Sequence, residues 1–225
     1  MNQLSAISSQ LFTYTMTDNN EPLTQTTFDQ ALSFLSAHDP DLKGVLSTIG
    51  PPPMWAREPG FPTLVHIILE QQVSLASARA AYDRLLQVVK VLTPSEFLKL
   101  DAKTLKKAGF SRQKTRYCRI LAQAVADGSF QPELLADMND TSARNELVKL
   151  TGIGRWTADI YLLMALRRPD IWPSGDLALC AAVQRVKRLA ARPDSEELEA
   201  LSECWKPWRA VAARIFWHFY LSGVS

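Results

Sequence analysis

Period-2 alternation of apolar and polar residues, the mark of a half-buried strand, is almost absent from this chain, whereas helical spacing recurs along most of it. Phe28, Ala31, Leu32 and Leu35 share one helical face, with Thr27 placed as the N-cap. Further helices are predicted over Pro62–Leu69, Ser74–Val89, Asp101–Ala108 (closed by Gly109), Arg112–Ala126 (closed by Gly128), Ser142–Leu150, Arg155–Arg167, Leu177–Ala190 and Ser195–Tyr220. Thr93-Pro94-Ser95-Glu96 reads as a capping box with proline in the first turn, and Leu134-Leu135 as a short helical piece. Pro51, Pro52, Pro53, Pro59 and Pro62 make residues 50–62 a loop. The expected class is all-α, with about ten short helices joined by short loops. Residues 1–24, polar and without a sustained period, read as a flexible tail.

The 225 residues suffice for one large domain or two small lobes sharing a core. With 47% apolar and 21% charged residues, the composition is that of an ordinary soluble globular protein rather than a disordered chain. Apolar runs such as Tyr161 to Leu166 are too short for a bilayer, and no basic-then-apolar signal segment opens the chain. Cys118, Cys180 and Cys204 are too scattered for a zinc site or a disulfide framework, which points to a reducing cytoplasm. The net charge of +2 says little, but its distribution says more. Residues 1–60 set Lys43 and Arg57 against Asp18, Glu21, Asp29, Asp39, Asp41 and Glu58. Residues 103–119 carry Lys103, Lys106, Lys107, Arg112, Lys114, Arg116 and Arg119 without an acid. That run is either a solvated helix face or a phosphate-binding stripe.

Two segments carry chemistry. Leu150-Thr151-Gly152-Ile153-Gly154-Arg155-Trp156-Thr157-Ala158-Asp159 reads as a tight hairpin that opens a helix. Its glycines permit positive φ and close ligand approach, and its amides from Gly152 to Arg155 form an anion site. Carbonyls on the other side of the turn could hold a monovalent cation. The alternative is a plain C-cap followed by a new helix. Downstream, Pro173-Ser174-Gly175-Asp176 sets a carboxylate on a constrained turn. Asp176 is an N-cap, an ionised stabiliser of an oxocarbenium-like sugar, or both. Late aromatics (Trp156, Tyr161, Trp172, Trp205, Trp208, Phe216, Trp217, Phe219, Tyr220) are core material, with indole faces suited to stacking a flipped cationic base. Gln71-Gln72-Val73-Ser74 joins two helices, either as ordinary capping by Ser74 or as a side chain entering a duplex. His38, His66 and His218 form no triad or metal cluster.

With these segments the chain resembles the helix–hairpin–helix DNA glycosylase superfamily, in its 3-methyladenine DNA glycosylase II (AlkA-like) branch. The resemblance runs from about Ala31 to Tyr220. It also draws on Asp39-Pro40-Asp41-Leu42, Leu69 to Ser74, Gly109 to Lys114, and Trp205-Lys206-Pro207-Trp208-Arg209. It implies two helical lobes flanking a DNA cleft, a central lobe of about 66–171 and a second of about 25–65 plus 172–225. It makes Asp176 catalytic and Gln72 the intercalating wedge. Trp217, with Trp156 and Trp208, lines the base pocket. Ser74, Gly152, Gly154, Arg155, Thr157, Arg112 and Lys114 join Gln72 against DNA. Backbone carbonyls of Val148, Leu150 and Ile153 match those holding Na+ or K+ in relatives.

The departures are informative. Trp156 stands where bifunctional relatives carry a lysine, which implies no Schiff base and no lyase step. The four cysteines of the iron–sulfur branch are missing. The N-terminal β-domain of the AlkA type is expected to be absent, and Ile160 replaces an aromatic pocket residue of some relatives. The resemblance implies a monofunctional enzyme excising 3-methyladenine and 7-methylguanine from double-stranded DNA. The expected protein is monomeric, away from membranes and cytoplasmic (nucleoid-associated in a bacterium). A glycosylase for uracil, hypoxanthine or an oxidised purine, and a non-catalytic DNA-binding module, are the competing expectations.

Overall fold

Helix starts dominate the local structure. In the computed structural model, which describes residues 21–223, twelve α-helices and two 3-10 turns follow one another, and no strand occurs among the described residues. The first five are α1 Gln25–His38, α2 Pro40–Ile49, α3 Phe61–Glu70, α4 Leu75–Val88 and α5 Pro94–Lys99. They are followed by α6 Ala102–Ala108, α7 Arg112–Ala126, a 3-10 turn Pro132–Asp137, α8 Asp140–Val148 and α9 Arg155–Met164. The chain closes with α10 Leu177–Val186, α11 Ser195–Ser202, a 3-10 turn Glu203–Trp205 and α12 Arg209–Ser222. Most begin on a Ser, Thr, Asp or Asn whose side chain accepts an early amide, as Asp101 does for α6, Ser111 for α7, Asn139 for α8 and Asp176 for α10. The helix starting at Gly154 has no such side chain.

Several boundaries differ from the sequence reading. Thr24, not Thr27, caps α1; Thr27 is its reciprocal partner in a capping box. Residues 1–20 of the expected tail lie outside the described residues, but Leu23 is buried and its N–H donates to Arg167 O at 2.8 Å. Thr93 caps α5, yet Glu96 turns to Lys99 Nζ at 2.6 Å instead of completing a capping box. The helix α2 lay in a stretch without a helical prediction, because Pro40 and Gly44 interrupt the pattern. Ser195–Tyr220 is two helices and a 3-10 turn, since Pro207 has no N–H to continue the ladder.

The buried α3 packs on α4, α7 and α9, while α5 packs on α7 and α8 on α9. The C-terminal α12 packs on α10, α2 and α1. Trp172 and Trp205 fill the core against Phe216 of α12, with ring centroids 5.0 to 6.3 Å apart. Two polar hubs lock these elements. Asp39 caps α2 and also accepts from Lys187 Nζ and Trp205 Nε1, each at 2.7 Å. Burial pushes its carboxyl up, but the bonds from Lys187, Trp205 and the Leu42 amide, with the Lys187 charge, bring it below its ordinary value. Arg214 of α12 is fully buried, and its guanidinium is shared among the carbonyls of Met54, Ala210 and Leu163 at 2.6 to 2.8 Å. Burial lowers its pKa to about 9.

Candidate active site

Asp176 is the N-cap of α10, so its place is set by local helix chemistry: Oδ1 accepts the Leu179 amide at 2.7 Å. Two indoles complete its surroundings. Trp156 Nε1, from the first turn of α9, donates to Oδ2 at 2.8 Å, and Trp217 Nε1, from α12, donates to Oδ1 at 3.0 Å. A carboxylate gripped by three N–H groups from three helices cannot swing, and both oxygens are oriented. It is half-buried, with Gly175 before it and Leu177 after it exposed. The N-cap of α10 and the candidate site carboxylate are therefore the same residue. The late aromatics divide accordingly: Trp172, Trp205 and Phe216 are core, and Trp156 and Trp217 serve the carboxylate. Trp208 is buried at the start of α12, where its N–H donates to Trp205 O.

The hairpin between α8 and α9 lies on the far side of Trp156 in the sequence. Gly152 has φ +97°, and a Cβ there would stand 2.1 Å from Cγ of Tyr117 on α7. Glycine is thus required by both backbone and packing. Gly154, at φ −90°, needs no such freedom, and a Cβ on it would meet nothing. The Ile153 N–H is used by Leu150 O at 3.0 Å, leaving the uncapped first turn of α9, at Arg155, Trp156 and Thr157, as the donor end. Arg155 is largely exposed and held by two long contacts, 3.6 Å to Asp159 and 3.4 Å to Glu199. Asp159 is buried; burial raises its pKa against the opposing effects of Arg144 and Arg155.

The α3–α4 turn presents Gln72 in the left-handed region at φ +56°, exposed together with Val73 and Leu75. A non-glycine residue there costs about 1–2 kcal/mol, so the surrounding structure must enforce it. Three side chains named for this face have internal duties. Ser74 caps α4, Thr157 is buried and accepts from Gln71, and Lys114 Nζ donates to Leu69 O at 2.7 Å. Burial lowers the pKa of Lys114. Arg112, like Lys103, Lys106, Lys107 and Arg116, is exposed, whereas Arg119 donates to the carbonyls of Leu98 and Leu100. The sequence places Gln71 only within the turn segment and gives it no internal partner, because the groups it bonds lie 81 and 86 residues away.

An all-helical scaffold that sets a rigid carboxylate beside a glycine hairpin defines a helix–hairpin–helix protein. Residues 65–209 match the family described as "HhH-GPD superfamily base excision DNA repair protein", and the chain belongs to that superfamily. It is similar to "Alkylbase DNA glycosidase-like protein mag2" of Schizosaccharomyces pombe, 31% identical over 126 residues, 56% of this chain and 59% of that protein. It is also similar to "DNA-3-methyladenine glycosylase 1" of the same yeast, 25% identical over 199 residues, 85% of this chain and 87% of that protein. The solved structure of the S. pombe 3-methyladenine DNA glycosylase Mag1 in complex with abasic DNA superposes with a TM-score of 0.79 at 26% identity, covering 84% of this chain and 95% of that one. The chain thus spans less than two thirds of the mag2 relative and most of the other two.

Proposed function

We propose that this chain is a monofunctional DNA glycosylase that removes alkylated purines, 3-methyladenine and 7-methylguanine among them, from double-stranded DNA and leaves an abasic site. The observation that carries this reading is the Asp176 carboxylate fixed between two indole N–H groups, with the uncapped start of α9 close by in the chain. DNA lies between the helices of about 66–171 and those of about 25–65 plus 172–225. The first turn of α9 and Arg155 bind a backbone phosphate, and Arg112 adds a second. Gln72 occupies the gap left by the flipped nucleotide. The damaged base stacks beside Trp156 and Trp217, with Trp208 backing the pocket. Electron-rich indole faces favour a base made cationic by alkylation.

Alkylation supplies most of the leaving-group activation. The C1′–N bond breaks with its electron pair going to the base, positive charge builds on the sugar, and Asp176 stabilises that charge. Water then adds at C1′ and loses a proton. Trp156 cannot attack C1′, because its indole nitrogen is only a donor. The intermediate that precedes a lyase step therefore does not form, and the product is an intact abasic strand. Three cysteines cannot supply a four-thiolate cluster. A monovalent cation suits the carbonyls of Val148, Leu150 and Ile153. The ladder of α8 ends at Val148, and Leu150 O keeps a second lone pair beyond its bond to Ile153. Such an ion would brace the hairpin against a phosphate.

The test is base release from a panel of duplexes carrying methylated purines, uracil, hypoxanthine or 8-oxoguanine. Release confined to methylated purines, with strands left uncut until alkali is added, is the expected result. Release of a neutral base alone would replace the substrate assignment, and binding without release of any base would make the chain a DNA-binding module.

A further inference from the structure

The last three residues before the Gln72 turn are each tied to a different part of the molecule. Leu69 O accepts from Lys114 of α7, and Glu70, buried, accepts from the two terminal nitrogens of Arg57, Nη1 and Nη2, at 3.1 and 2.7 Å. Gln71 reaches the hairpin: its Nε2 donates to Gly152 O and to Thr157 Oγ1, each at 2.9 Å. Gly152 O can only accept, so the amide orientation follows from chemistry, and both amide hydrogens are used. Gly152 itself packs against the Tyr117 ring, and Thr157 is buried. The next residue, Gln72, is held in left-handed backbone and exposed.

We propose that Gln71 is a positioning residue that couples the wedge to the phosphate-binding hairpin, so that gripping the backbone sets the insertion register of Gln72. This rests on the DNA-binding reading above. Without the Gln71 bridge, the turn keeps its two braces on Leu69 and Glu70 but loses the hydrogen bonds to Gly152 and Thr157. The hairpin still binds phosphate, while Gln72 no longer enters the stack in step with it. Gln71 touches neither the reacting atoms nor Asp176, so its loss acts on insertion rather than on bond cleavage.

The experiment uses the full chain and a duplex with a tetrahydrofuran abasic-site analogue opposite 2-aminopurine. Anisotropy reports binding, and 2-aminopurine fluorescence reports unstacking by the wedge. Wild type is expected to raise the fluorescence several-fold. Gln71→Ala and the near-isosteric Gln71→Met, each of which removes both amide hydrogens, are expected to bind within about threefold of wild type, yet lose more than half of that rise. Thr157→Ser, which keeps the hydroxyl acceptor, is expected to keep the full rise. A full rise in both bridge-breaking variants overturns the coupling, as does a signal lost only in step with binding, or no rise in wild type. If Gln71→Ala fails to fold, Gln71→Met decides. The readout needs no base release, so a wild type that releases no methylated base in parallel overturns the substrate reading and leaves this one standing.

Discussion

At the scale of single residues, the two hairpin glycines do different work, and substitution should separate them. Gly152→Ala adds a Cβ into the Tyr117 ring at a positive φ, and a loss of about 3 kcal/mol is expected in chemical denaturation. Gly154→Ala meets nothing within the protein, so its stability should change by less than about 0.5 kcal/mol. Its DNA affinity should nevertheless fall, on the order of tenfold or 1.4 kcal/mol, because the methyl stands where a phosphate approaches. The indoles around Asp176 allow a similarly sharp test. Trp217→Phe keeps an aromatic face and removes one N–H from Oδ1. A hydrogen bond to a charged group is worth about 1.5–3 kcal/mol, so single-turnover excision should slow about 10- to 100-fold with DNA affinity little changed. Equal losses in binding and rate would make Trp217 a packing residue only.

At the scale of elements, Asp39 joins α2 to α10 and to the 3-10 turn at Trp205, and this hub should govern stability against pH. Its folded pKa lies below the ordinary 3.8, so its stabilisation is present above that value and lost as pH falls through the lower folded one. Lys187, lowered by burial but raised more by its bonds and charge pairing with Asp39 and Asp41, has a folded pKa above 10.5. Its contribution is therefore present below 10.5 and lost as pH rises through the folded value. Asp39→Asn should cost about 3 kcal/mol near neutrality and flatten the acid limb below pH 4, read by tryptophan fluorescence in urea. Helix existence was legible wherever caps and 3.6-residue spacing agreed, as over Arg112–Ala126, which the structure reproduces. The same signals hid α2, whose apolar stripe Pro40 and Gly44 interrupt. Asp176 stood out because a Pro-Ser-Gly-Asp turn is local chemistry. Its indole partners and the Gln71 bridge were not legible, since helices distant in sequence meet there only after packing.

For the whole molecule, one account joins core, basic face and carboxylate: the aromatic core holds α12 against α10, which brings Trp217 onto Asp176, while the exposed cations of α6 and α7 face outward. If that face meets backbone phosphates, the affinity for undamaged duplex should fall steeply with salt. Each lost contact should then reduce the slope of log K against log salt by about 0.9, so Arg112→Glu with Lys106→Glu should flatten it by about two contacts. An unchanged slope would place DNA elsewhere. Whether the Asp176 carboxylate carries the proposed bond cleavage is read from base release from methylated duplex DNA with wild type and Asp176→Asn side by side. The amide keeps one oxygen as an acceptor for the Leu179 cap but carries no charge for the sugar cation. Folding and DNA binding should be retained, with 3-methyladenine release slowed by at least about 100-fold. Release by the variant at the wild-type rate would contradict that role for Asp176.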